Sequence, residues 1–138
     1  MIVLDTNVLS ETLRPAPEPR VLEWLSSQPR ASLFVTTVTR GEILYGIKLL
    51  PDGQRRRRLW EAAQAILNED FAGQVLSFDA EAADLFAEIA AHRRELGRPI
   101  SQLDAMIAAM TRSRGAGLAS RNKSDFEHCG IDVISTWD

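Results

Sequence analysis

The sequence predicts an α/β fold: a three-layer α/β/α sandwich built on a short parallel sheet. Three observations carry this. Short apolar runs alternate with longer stretches of helical periodicity from one end of the chain to the other, which argues for a parallel sheet covered by helices on both faces. Most of these runs give way to small polar or acidic residues just before a helical pattern begins. The chain has 138 residues and 45% hydrophobic content, enough for one domain, 1–138, with a sizeable core and no disulfide or metal staple.

The first strand is Ile2-Val3-Leu4, delivering Asp5 at its tip, with a helix expected from Asn7. Arg14 to Pro19 is a proline-punctuated turn, and Val21, Leu22, Trp24 and Leu25 stripe a short helix. Leu33-Phe34-Val35 is the second strand. Ile43, Leu44, Ile47 and Leu50 mark a helix that ends before Pro51. After the Pro51-Asp52-Gly53 turn, Leu59, Ala62, Ala63, Ile66 and Leu67 share one face of a helix over 54–70, opened by Arg55 to Arg58. Gln74 to Phe78 reads as the third strand, and Asp79 as the cap of a helix running to Leu96. Leu103, Met106, Ile107 and Met110 mark a helix after Ser101. Gly117 to Ser120 is the fourth strand, Arg121 to His128 a loop or helical turn, and Ile131 to Ile134 the last strand.

Composition excludes several classes. The net charge of −3 with 25% charged residues gives no global attraction to nucleic acid or membrane, so polyanion binding requires a local basic patch. One cysteine, Cys129, and two histidines, His92 and His128, cannot build a Cys/His zinc cluster or an intrachain disulfide. No apolar stretch reaches the about 18 residues that span a bilayer, and no targeting segment is visible, so a cytoplasmic protein is expected.

A parallel sheet sends every strand's C-terminal end to one edge, where ligands bind in open α/β folds. Asp5, Glu42, Asp104 and Asn122 all fall near that edge, with Asp125 three residues beyond Asn122. These residues read two ways. Thr39-x-x-Glu42, Ser101-x-x-Asp104 and, more weakly, Asn122-x-x-Asp125 match the capping box, and Asp5 alone is most simply a helix cap. Together they also form the oxygen-only acidic cluster that Mg²⁺ or Mn²⁺ requires, and a divalent cation would relieve their mutual repulsion. Spacing alone leaves both open.

The surrounding residues resemble a known family. Leu4-Asp5-Thr6-Asn7-Val8-Leu9-Ser10-Glu11, Thr39-Arg40-Gly41-Glu42-Ile43-Leu44-Tyr45-Gly46, Pro99-Ile100-x-x-x-Asp104-Ala105-Met106-Ile107-Ala108-Ala109 and Leu118-Ala119-Ser120-Arg121-Asn122-Lys123-Ser124-Asp125-Phe126 are similar to the motifs of the PIN domain. More narrowly they resemble the VapC/FitB-like toxins of bacterial type II toxin–antitoxin systems. The ordered set spans essentially the whole chain, including the Leu50-Pro51-x-Gly53-x-Arg55-Arg56 turn and Trp137.

The resemblance implies a Mg²⁺- or Mn²⁺-dependent endoribonuclease. It makes Asp5, Glu42 and Asp104 catalytic acids and metal ligands. The family's fourth acidic position is Asn122 here, which leaves open whether its amide oxygen serves or Asp125 substitutes as ligand. Thr6 and Asn7 would orient the first acid. Hydrolysis by a metal-activated water would leave a 5′-phosphate and a 3′-hydroxyl, with no 2′,3′-cyclic intermediate. Arg40, Arg98, Arg121 and Lys123 are the candidate RNA-binding residues, beside Arg112 and Arg114. Arg55 to Arg58 are the most conspicuous basic run, although a run on a first helical turn is usually a solvated face. Trp24, Trp60 and Trp137 have the chemistry to stack on bases, and also to fill a core. An antitoxin partner and a homodimer are implied as well. Asn122 favours one alternative, a non-catalytic PIN-like module that keeps its acids as caps and works by binding a protein or RNA partner. A phosphoryl-transfer or receiver-type domain also places an aspartate at a strand tip, but Asp-x-Asp and a Gly-rich phosphate loop are both missing.

Overall fold

A computed structural model describes residues 1–137. Five strands form one parallel sheet in the order β3-β2-β1-β4-β5: β1 Ile2–Leu4, β2 Leu33–Thr36, β3 Val75–Leu76, β4 Gly117–Ala119 and β5 Val133–Ile134. Six helices connect them: α1 Thr6–Thr12, α2 Pro19–Ser27, α3 Thr37–Lys48, α4 Gln54–Ala65, α5 Ala80–Glu95 and α6 Gln102–Ser113. The last turn of the 54–70 helical stretch, Ile66–Asp70, is wound as a π-helix, and Lys123–Phe126 is a single 3₁₀ turn.

Strand alternation builds two cores, one on each face of the sheet. Leu4, Leu33, Val35 and Ala119 point to the face covered by α1 to α4, where Val8, Leu9, Val21, Ile43, Ile47, Ala63 and Leu67 meet them. Their neighbours Val3, Phe34 and Leu118 point to the other face, against Ile89, Ile107, Ala108 and Ala109 of α5 and α6. The three-layer sandwich expected from the alternation of elements is the fold observed. Trp24, Trp60 and Trp137 all pack against the first core, and Lys48 Nζ covers the Trp60 ring at 4.4 Å.

β1 is central, flanked by β2 and β4 in the registers Val3↔Phe34 and Val3↔Leu118. Its C-terminal end is therefore walled by the ends of both neighbours and by the helices that follow them. Among the described residues no helix is long and apolar enough to cross a membrane.

Candidate acidic site at the carboxyl edge of the sheet

Asp5 leaves β1 in extended conformation and caps α1, its Oδ1 accepting from the Thr6 amide at 2.8 Å. Its other oxygen, Oδ2, accepts from the Ser120 hydroxyl at 2.7 Å, just past the end of β4. Cap and site are thus the same residue. Asp5 is only 5% exposed, and burial lifts its carboxyl to about 6, against the two hydrogen bonds that favour its ionised form. The negative charges of Asp104 and Glu42 push in the same upward direction.

Glu42 projects from the second turn of α3. Its Oε1 accepts from the Thr6 hydroxyl at 2.7 Å, and Thr6 Oγ1 also lies 2.9 Å from Thr39 Oγ1. Thr6 therefore ties Glu42 to Asp5, with its amide on one acid and its hydroxyl on the other. The capping box expected at Thr39-x-x-Glu42 does not form. β2 runs on to Thr36, whose side chain caps α3 by accepting from the Thr39 amide at 3.1 Å, so Thr39 lies buried inside the helix. That displacement frees Glu42 from capping.

On α6, Ser101 caps the helix by accepting from the Asp104 amide at 3.2 Å, so this box is half realised. Burial, joined by the nearby charge of Asp125, raises the Asp104 carboxyl above its usual range, against the hydrogen bond from Ser101 and the positive charge of Arg93. Asn122 makes no side-chain cap; its backbone N–H donates to Ser120 Oγ at 3.1 Å and its backbone carbonyl accepts from the Asp125 backbone N–H at 3.0 Å. Asn7 lines the same cavity as Asp5 but makes no side-chain hydrogen bond to it. Its Oδ1 accepts from the Arg121 amide at 3.2 Å, which fastens α1 to the loop after β4.

These residues line one cavity of about 280 Å³, walled by Asp5, Thr6, Asn7, Ser10, Glu42, Asp104, Asn122, Asp125 and Phe126. All five of the singled-out acidic or amide positions face it. None of the four expected RNA-binding residues does. Arg40 donates to Asn68 Oδ1 at 2.9 Å and to Gln64 Oε1 at 3.3 Å, Arg98 pairs with Glu127 at 2.9 Å, Arg121 lies 5.2 Å over the Trp137 ring, and Lys123 is exposed. Arginines approach from another side. A groove of about 680 Å³ shares Thr6, Ser10 and Glu42 with the cavity and carries Arg14, Arg55 and Arg58 along largely apolar walls of α1, α3 and α4. Ser10 and Ser120 lie inside the motifs with no role predicted from sequence, and Arg14 lies outside them. Their roles arise from which elements meet at the edge.

Among the described residues, no three Asp, Glu, His or Cys side chains converge closely enough to enclose an ion by themselves. The donor chemistry nonetheless fits Mg²⁺ or Mn²⁺. The wall is carboxylate and amide oxygen, and Mg²⁺ is held by one or two carboxylates while keeping several waters. Burial is the main cause of the raised Asp5 and Asp104 carboxyls, and the charges of neighbouring acids add to it.

A parallel α/β sheet with an acidic cavity at its carboxyl edge defines a class, and comparison with known proteins agrees with it. Residues 2–131 match the PIN domain, and the chain belongs to that family, within its VapC/FitB-like group. It is 39% identical to the plasmid stability protein StbB of Pseudomonas syringae pv. tomato, over 100% of this chain and 99% of the relative. It is 35% identical to the VapC ribonuclease Y4jK of Sinorhizobium fredii, again over 100% and 99%. The crystal structure of FitAcB from Neisseria gonorrhoeae superposes with a TM-score of 0.93 at 34% identity, covering 99% of each chain.

Proposed function

We propose that this protein is a metal-dependent endoribonuclease, the toxin component of a type II toxin–antitoxin module. One observation carries the reading: Asp5, Glu42, Asp104, Asn122 and Asp125, from four separate stretches of sequence, share one cavity. The chain's similarity to a VapC ribonuclease along its whole length supports RNA as the substrate.

Asp5, Glu42 and Asp104 would hold Mg²⁺ or Mn²⁺, with the Asn122 amide oxygen or the Asp125 carboxylate at the fourth position. When bound, the ion supplies a water of lowered pKa and neutralises charge on the phosphate and leaving oxygen. The chain's own residues prepare the site. Thr6 and Ser120 each occupy one side of Asp5 and fix its plane, and Thr6 fixes Glu42, so that neither acid must reorganise on binding. Phe126, 2% exposed, closes the wall beside Asp125. Arg14, Arg55 and Arg58 along the adjoining groove give the RNA backbone the positive rim that the acids cannot. Water as nucleophile predicts 5′-phosphate and 3′-hydroxyl ends. The module reading also calls for a cognate antitoxin that silences the cavity, acting in the cytoplasm. Tyr45 on α3 and Leu49 at its C-cap, 66% and 68% exposed, offer apolar surface for a homodimer.

The alternative is a non-catalytic PIN-like module that binds a protein or RNA partner. The asparagine at position 122 favours it, since the fourth oxygen ligand is then uncharged. Calorimetric titration with Mn²⁺ separates the two. The nuclease reading predicts stoichiometric binding that Asp5→Asn abolishes; no binding by the wild type would favour the module.

A further inference from the structure

α5 carries a buried cation that the acidic wall does not include. Arg93 is 5% exposed, on a helix whose other buried residues are Ala82 and Ile89. Among the described residues it pairs with no carboxylate. Instead its Nε donates to the Arg98 carbonyl at 2.7 Å, and its Nη1 to the carbonyls of Asp125 at 2.8 Å and Glu127 at 3.0 Å and to Cys129 Sγ at 3.6 Å.

Burying a guanidinium is costly, and it persists only where fixed dipoles or charges repay the lost hydration. Here backbone carbonyls of two loops do so. One loop, 96–101, leads into the helix of Asp104; the other, 121–130, carries Asn122 and Asp125. The grip bears on the second loop where it has least regular structure to hold it. His128, between the anchored Glu127 and Cys129, is the only non-glycine among the described residues with positive φ, at 64°. Asp125 in turn holds the backbone at Asn122, its backbone N–H donating to the Asn122 backbone carbonyl. The planar fork suits the task because several N–H groups point at fixed angles, which an ammonium does not reproduce.

We infer that Arg93 is a positioning residue of the acidic cavity: by anchoring the Asp125 and Glu127 carbonyls it sets where Asp125 and Asn122 stand relative to Asp104. The inference rests on the metal-dependent reading above. A plain structural staple would bear on stability alone, whereas a positioning residue bears on the affinity of the cavity for a cation.

The test is Mn²⁺ titration by calorimetry, with thermal melting in parallel, on the full chain and on Arg93→Lys, Arg93→Met, Asp125→Asn and the Arg93→Lys/Asp125→Asn pair. Arg93→Lys keeps the charge, and the parallel melts show which variants are folded at the titration temperature. Loss of a residue that orients ligands typically weakens metal binding about 10- to 100-fold, and a fall of about tenfold is expected for Arg93→Lys. Asp125→Asn alone should weaken binding too, and the double variant should lose less than the two single losses combined, because Arg93 acts in part through Asp125. A lowered melting temperature with unchanged Mn²⁺ affinity, or additive losses in the double variant, would overturn the inference. Wild-type protein that binds no Mn²⁺ overturns the parent reading and this one with it; wild-type binding with unaltered Arg93→Lys overturns this one alone.

Discussion

Ser120 Oγ donates to Asp5 Oδ2 at 2.7 Å, joining residues 115 positions apart across the ends of the adjacent strands β1 and β4. The bond is wholly buried and favours the ionised form of a carboxyl that burial otherwise pushes up. Ser120→Ala should therefore lift Asp5 further above about 6 and destabilise the fold by about 1–2 kcal/mol. Carbon-detected NMR titration of the Asp5 carboxyl in EDTA reads the shift directly. An unmoved midpoint would mean that the hydroxyl does not support this acid.

Thr6 makes the second link, through a hydroxyl shared between Glu42 and Thr39. Thr6→Ser retains it and should keep near-native activity. Thr6→Val has the same shape without the hydroxyl, and RNA cleavage should fall about 10- to 100-fold as Glu42 loses its orientation. Equal activity in the two variants would remove Thr6 from the site.

Asp5 also makes metal-free stability depend on pH. Its folded value of about 6 lies above the ordinary 3.8, so between about 4 and 6 the folded state binds more protons than the unfolded one. The contribution of the protonated group to stability is complete below the ordinary value and is lost as pH rises through 6. Asp104, raised as well, acts in the same direction. Asp5→Asn should thus be more stable than wild type in EDTA at pH 7.5, by up to roughly 3 kcal/mol, with the difference gone by pH 4. Urea unfolding at the two pH values decides it. A pH-independent difference would argue against a destabilised Asp5 carboxylate.

The cap of α3 yields a local test. Thr36 Oγ1 accepts from the Thr39 amide in a fully buried setting. Thr36→Ala should cost about 1 kcal/mol, up to about 2, while Thr37→Ala, at an exposed first-turn position, should cost little. The reverse order in thermal melts would place the helix start elsewhere.

The sandwich was legible because alternation of strand and helix patterns is a property of neighbouring residues, and the edge position of Asp5, Glu42 and Asp104 follows from it. What escaped depends on distant elements. The cap of α3 falls at Thr36 and not at Thr39 because one more residue joins β2, where Thr36 pairs with Leu76. Asn7 sits two residues from Asp5 in sequence, while in the fold its Oδ1 accepts from the Arg121 amide of the 121 loop. Arg40 lies beside a motif acid in sequence, but its guanidinium is taken by Gln64 and Asn68, which α4 and the π-turn bring near. Arg93 looks in sequence like any arginine on a charged helix face, and only the fold buries it.

On the proposed function, the acids of this cavity cut RNA with the help of a bound divalent ion. The most direct measurement is cleavage of single-stranded RNA by the purified chain, free of any co-expressed partner, with Mg²⁺ or Mn²⁺, with EDTA, and with Asp104→Asn. Cleavage in metal with 5′-phosphate ends, lost in EDTA and in the variant, is the expected result. Cleavage that survives EDTA, or full activity in Asp104→Asn, would contradict it.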